Sequence, residues 1–167
     1  MPEIEYVEDR METEELLERL CPPVRNWFMD KFPDFTEPQK VAIPRILKGE
    51  HLLLCSPTGS GKTLTAFLTI IDDLVRRSMN GKLKDGVSCV YISPIKALAN
   101  DIQKNLIGPL NEIRESYLPK RAKEIRVGLR TGDTSQKERD KILRSPPHIL
   151  ITTPESLALG QRLWRGY

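Results

Sequence analysis

The sequence predicts an α/β fold, a parallel sheet covered on both faces by helices, and three observations carry that prediction. Short apolar runs of strand length alternate with longer stretches whose apolar residues recur at spacings of three and four. No internal repeat and no Gly/Ser linker interrupts the alternation. A glycine-rich segment, Ser56-Pro57-Thr58-Gly59-Ser60-Gly61-Lys62-Thr63, falls where an apolar run passes into an amphipathic one. In such sheets that is the kind of junction at which ligands bind.

Two short helices come first. One spans residues 14–20 after a Thr13 cap, and one spans residues 24–32 with Val24, Trp27, Phe28 and Phe32 on one face. Pro22-Pro23 separates them. Thr36-Glu37-Pro38-Gln39 is a capping-box pattern that opens a helix through Val41, Ala42 and Ile46 to about Lys48, with Gly49 as its stop. Residues 51–55, His-Leu-Leu-Leu-Cys, read as a short, fully buried strand. A helix over residues 63–77 follows, its stripe being Leu64, Phe67, Leu68, Ile71, Leu74 and Val75. The alternation then repeats: strand 87–93, helix 97–115, strand 125–129, helix 135–143, strand 148–152, and a helix opening at Pro154.

Composition excludes several function classes. At 167 residues the chain is one domain in length, and 39% apolar with 29% charged residues separates it from disordered chains. A net charge of +3 is too small to announce nucleic-acid binding by itself. The acidic start (Pro2, Glu3, Glu5, Glu8, Asp9) is neither a secretory signal nor a transit peptide. Asp72 and Asp73 interrupt the longest helical apolar segment, residues 64–75, so no membrane span and no membrane partner is expected. The expected location is cytoplasmic. Cys21, Cys55 and Cys89 lack metal-ligand spacing and read as reduced, mostly buried thiols in strands. His51 and His148 have no ligand-spaced partner, so no metal centre built of histidine or cysteine is expected.

The glycine-rich segment carries the strongest chemical signal. Its glycines let backbone N–H groups turn inward around phosphate oxygens, and the following helix N-terminus adds its dipole. Thr58, Gly59, Ser60 and Gly61 form the cradle, Lys62 reaches the β and γ phosphates, and the Thr63 hydroxyl is a ligand for Mg²⁺. The loop implies a nucleotide with β and γ phosphates, and Mg²⁺ as its cofactor. The first position is Ser56 where the general pattern has glycine, which narrows the kind of phosphate-loop protein.

Ser-Pro-Thr-Gly-Ser-Gly-Lys-Thr resembles motif I of superfamily 2 helicases of the DEAD/DEAH-box type, which accept a small residue at that first position. Further segments follow in that family's order. Gln39 matches the glutamine that reads the adenine edge. Tyr91-Ile-Ser-Pro-Ile-Lys-Ala-Leu-Ala-Asn-Asp101 resembles motif Ia, most closely in the version of the large helicase-related family. Thr152-Thr-Pro-Glu-Ser-Leu157 resembles the threonine-proline-x-x-leucine motif, and Arg130-Thr-Gly-Asp133 sits where the family places another nucleic-acid loop. The resemblance covers about residues 32–157. It implies a first RecA-like domain that binds ATP, and that binds the backbone of DNA or RNA through Ser93, Pro94, Lys96, Asn100, Gly132, Thr153, Pro154 and Glu155.

Several of these residues also have local explanations. Gln39 is the N3 member of the Thr36 capping box; Lys96 and Asn100 suit a first helical turn; Thr153 and Glu155 suit a cap and first-turn acid. Residues 131–133 suit a plain turn before the Ser135/Glu138 capping box, and Lys120, Arg121 and Lys123 suit a solvated loop.

Phosphoryl transfer to water also needs a carboxylate at a strand end to hold Mg²⁺. No such strand occurs, and residues 158–167 diverge from the family, so the expectation is an incomplete first helicase domain, truncated before motif II and not hydrolysing ATP alone. Residues 1–34 are expected to form an N-terminal helical extension, 35–157 the partial RecA-like domain and 158–167 a divergent tail. The remainder is expected from elsewhere: the chain reads either as a truncated gene product or as half of a split enzyme completed by a second chain. The rival reading is a non-catalytic interaction or nucleic-acid-binding remnant with a vestigial phosphate loop; a small-molecule kinase would need an arginine-rich lid that is not evident.

Overall fold

The computed structural model describes residues 5–7, 9–94 and 102–159. The first helices are α1 (Thr13–Arg19) and α2 (Pro22–Lys31). Glu12, rather than Thr13, is the N-cap of α1, because the Thr13 hydroxyl donates to Asp34 instead. Pro22 and Pro23 lie in the first turn of α2, where an N–H would have no helical acceptor in any case. The Cys21 N–H donates 2.6 Å to Asp72 Oδ1, and Trp27 Nε1 donates 2.6 Å to Glu112 Oε2, so α2 is tied to two later helices.

Helix α3 (Glu37–Leu47) starts with the predicted Thr36/Gln39 capping box. It stops as expected, with Lys48 as C-cap and Gly49 in the left-handed region at φ 77°. The buried strand predicted over residues 51–55 does not form. Among the described residues this segment has no ladder partner; Leu53 is 83% exposed and Cys55 is exposed. An apolar run becomes a strand only where neighbours complete its hydrogen bonds, and a cavity of about 450 Å³ lies between the end of α3, α4 and the start of β1. All three cysteines are free thiols, as expected, but their placement in strands fails. Cys21 is a buried helix cap and only Cys89 lies in a strand; burial pushes these thiols up to about 12 and about 11, respectively.

Helix α4 (Lys62–Met79) carries the core. Its predicted stripe is buried throughout, with Phe67, Leu68, Ile71 and Val75 fully inaccessible. Phe67 meets Tyr91 with ring centroids 4.8 Å apart, which seats α4 on strand β1 (Cys89–Ile92). The helix before β2 begins with a π-helical stretch, Gln103–Ile107, and continues as α5 (Gly108–Ser116). Gly108 N–H reaches back to the Gln103 carbonyl just ahead of Pro109, which has no N–H to give, and the wider turn accommodates the proline.

Strands β2 (Val127–Arg130) and β3 (Ile149–Thr152) complete a three-stranded parallel sheet in the order β1-β3-β2. The central strand β3 is buried along its whole length. Helix α6 (Gln136–Arg144) joins β2 to β3, with the predicted Ser135/Glu138 capping box at its start. Helix α7 (Pro154–Leu159) follows β3. The register sets Ile92, Thr152 and Arg130 side by side, so the three carboxyl ends finish level. The predicted α/β class is the observed one, a RecA-like parallel sheet flanked by helices. No helix among the described residues is long and apolar enough to cross a membrane.

Candidate functional site

The phosphate loop is built by backbone sterics. Gly59 and Gly61 adopt φ of 84° and 87°, a region costly for other residues. Gly61 is the N-cap of α4 and offers no side-chain acceptor. The first intrahelical bond runs from Thr65 N–H to the Gly61 carbonyl at 2.9 Å. The N–H groups of Lys62, Thr63 and Leu64 therefore have no helical acceptor, and no cap side chain takes them. Lys62 folds into the loop, its ammonium donating to the carbonyls of Ser56 and of Pro57, the latter at 2.8 Å. Thr58 and Gly59 are exposed, and Ser60, Lys62 and Thr63 partly so.

Helix α3 braces this loop. The Thr36 hydroxyl donates 2.8 Å to the Ser60 carbonyl, while Thr36 N–H donates 2.9 Å to Gln39 Oε1. Gln39 is thus a capping residue, and its free amide end also lies against the loop. A Cβ placed on Gly61 would stand 2.8 Å from Gln39 Nε2. Ser56 and Ser60 close the loop through their hydroxyls at 2.5 Å. Thr36 and the Ser56–Ser60 pair were not legible as loop braces, since both contacts depend on how the chain is folded there.

The residues fit a nucleotide phosphate by their donor set: a glycine cap, exposed first-turn amides and a lysine that already bridges main-chain oxygens. Thr63, partly exposed, follows in the first turn of the helix. Among the described residues there is no cluster of three acidic, His or Cys side chains suited to a metal, and no described strand ends in an acid. Asp72 is mid-helix and engaged, accepting from Cys21 N–H and from Arg76 Nε at 2.7 Å.

At the carboxyl ends of the strands, the structure brings together three of the predicted nucleic-acid segments. The Ser93 N–H donates 3.1 Å to the Thr152 carbonyl, a last rung between β1 and β3, and Pro94 beyond it is exposed. The Thr152 hydroxyl donates 2.8 Å to the Arg130 carbonyl, tying β3 to β2. Thr153 caps α7: its Oγ1 accepts Ser156 N–H at 3.3 Å, and the side chain is buried. Pro154 and Glu155 are exposed in the first turn, and Gly132 is exposed after β2. Lys96 and Asn100 lie outside the described residues. Arg130 and Arg139 stand close here; burial first, then the Arg139 charge, lowers the Arg130 guanidinium from its ordinary value.

A parallel sheet flanked by helices, with a glycine-capped helix start and a row of loops at the strand ends, places the protein in the RecA-like class. Residues 36–163 match the DEAD/DEAH box helicase family, and the chain belongs to that family. The ATP-dependent helicase Lhr-Core of Methanocaldococcus jannaschii is 48% identical over 162 residues, covering 96% of this chain and 19% of that protein. The structure of Mycobacterium smegmatis helicase Lhr bound to ssDNA and AMP-PNP is similar at a TM-score of 0.73 and 42% identity, over 86% of this chain and 18% of that one. The yeast DEAD-box splicing factor Prp28 shares the fold, at a TM-score of 0.72 and 24% identity over 94% of this chain and 36% of that one. The chain spans about a fifth of the length of the curated Lhr-Core relatives it matches.

Proposed function

We propose that residues 35–157 form the ATP- and nucleic-acid-binding front portion of an Lhr-type helicase, with residues 1–34 as an N-terminal helical extension whose helix α2 packs on α4. ATP is held by Thr58, Gly59, Ser60, Gly61 and Lys62, its Mg²⁺ by the Thr63 hydroxyl, and its adenine edge by Gln39. The sugar–phosphate backbone of a DNA or RNA strand lies across the strand ends, on Ser93, Pro94, Lys96, Asn100, Gly132, Thr153, Pro154 and Glu155. The observation that carries this reading is the glycine cap of α4, which leaves first-turn amides for a ligand beside a lysine folded into the loop. The ssDNA and AMP-PNP in the Lhr structure of M. smegmatis support it.

In this reading the 167-residue chain binds ATP without turning it over, because phosphoryl transfer needs a strand-end carboxylate and Asp72 is committed to Cys21 and Arg76. The remaining catalytic groups come from other residues of a longer protein or from a second chain. Equilibrium binding of a fluorescent ATP analogue with Mg²⁺, beside Lys62→Ala, tests the proposal, with hydrolysis followed plus and minus single-stranded DNA and RNA. Binding lost in the variant, with no turnover, is the expected result. No binding in either protein overturns the reading in favour of a remnant with a vestigial loop; turnover stimulated by nucleic acid overturns the claim about the carboxylate.

A further inference from the structure

The loop after β2 is shaped by a side chain that comes after it. From α6, Arg139 donates through Nε to the Thr134 carbonyl at 2.8 Å, and through Nη2 to the Gly132 carbonyl at 2.9 Å and the Thr131 carbonyl at 3.5 Å. The Thr134 hydroxyl accepts the Thr131 N–H at 2.7 Å, and the Thr134 N–H returns to the Thr131 carbonyl at 3.3 Å. These bonds gather the loop's carbonyl oxygens around one guanidinium. Among the described residues the N–H groups of Gly132 and Asp133 have no acceptor, and both residues are exposed. The space around Gly132 is open, with nothing within 4 Å of where a Cβ would stand.

The charge of the loop has the same sense. Neither Arg130 nor Arg139 has a carboxylate partner among the described residues, and the two guanidiniums repel one another. Unpaired cationic charge beside free backbone amides suits an anion carried on a flexible chain, such as a backbone phosphate.

We infer that Arg139 is a positioning residue for nucleic-acid binding: it holds residues 131–134 so that the Gly132 and Asp133 N–H groups face a backbone phosphate, and Arg130 supplies the direct ionic contact. This rests on the reading of the strand ends as the nucleic-acid face. Arg139 is already occupied by loop carbonyls and touches no phosphate itself, which separates its effect from that of Arg130.

The experiment is fluorescence anisotropy with labelled oligo-dT and oligo-U on the 167-residue chain at several salt concentrations. Arg139→Gln is expected to weaken binding about fivefold to tenfold, because the loop loses its guanidinium brace while the direct phosphate contacts stay in place, with an unchanged slope of log affinity against log salt and unchanged affinity for the ATP analogue. Arg130→Gln is expected to reduce that slope by about 0.7, the value for one phosphate contact on a single strand. Thr134→Val removes the other brace of the same loop and should reproduce the Arg139→Gln behaviour, which guards against a variant that merely misfolds. A reduced salt slope in Arg139→Gln, or unchanged affinity in both brace variants, overturns the positioning role. If the unaltered chain binds neither oligonucleotide, the nucleic-acid reading itself falls and this inference with it.

Discussion

The glycine-rich loop and the strand-end loops are the two surfaces proposed to meet ligands, yet they are built by opposite routes. The first is a continuous run, residues 56–63, whose shape follows from two left-handed glycines and a helix start. The second is assembled from three segments that meet only because β1, β3 and β2 pair in register. In the first, local backbone sterics set the geometry and a neighbouring helix braces it. In the second, most side chains are occupied in holding the loops together, as the Thr153 cap and the Thr152 link show. Substitutions should therefore act directly on nucleotide affinity in the first region and through loop geometry in the second.

The largest expected effect is at Lys62. Lys62→Ala removes a charged donor worth about 1.5–3 kcal/mol, or a weakening of nucleotide binding of about 12- to 150-fold; calorimetry with an ATP analogue would measure it. Nucleic-acid affinity in the absence of nucleotide should stay the same, and a parallel loss would show that the two regions are not separately built.

The same glycine-to-alanine change should distinguish the regions next. Gly61→Ala forces a left-handed alanine, costing about 1–2 kcal/mol, and sets its Cβ 2.8 Å from Gln39 Nε2. Thermal stability and nucleotide affinity should both fall. Gly132→Ala meets nothing within 4 Å and should leave stability within about 0.5 kcal/mol. Equal melting-temperature losses in the two variants would break the contrast.

A smaller effect is expected from the brace. Thr36→Val deletes the hydroxyl that donates to the Ser60 carbonyl and weakens the start of α3, at a cost of about 1 kcal/mol. Nucleotide affinity should drop severalfold, with strand-end binding unaffected.

The smallest effect lies at the amino end of the sheet, away from both regions. His148 is fully buried, its Nδ1 accepts Arg126 N–H at 2.9 Å, and burial, then Arg126 and Lys123, lowers its pKa from the ordinary 6.5. A base held neutral by the fold contributes stability above the unfolded value, and that stability is lost as pH falls through about 6.5 toward the folded value. Its slope is at most about 1.4 kcal/mol per pH unit. Melting temperatures between pH 7.5 and 5.5 should decline in the parent and less in His148→Asn, which retains an acceptor for Arg126; identical profiles would remove His148 from the account.

How far the residues announced all this varies with the range of the forces involved. The stripe of α4, the Thr36/Gln39 and Ser135/Glu138 boxes and the stop at Gly49 were legible, because periodicity and capping act over a few residues. Residues 51–55 were misread for the complementary reason: four apolar residues behind His51 look alike whether or not a neighbour completes their ladder. Arg139 carried no signal of its own, being one charged residue on a charged helix until the fold set it beneath the preceding loop.

By itself, then, the sequence determined the α/β class, the glycine-rich turn into α4 and the helices, since left-handed glycines, caps and apolar stripes are short-range constraints. Tertiary structure decided that β3 lies between β1 and β2, that residues 93–94, 130–132 and 152–155 share one end of the sheet, and that Thr36 and Arg139 brace the loops. Strand pairing and side-chain bracing join residues 20 or more positions apart in most of these cases, and apolar runs of similar length carry no mark of which neighbour each will take.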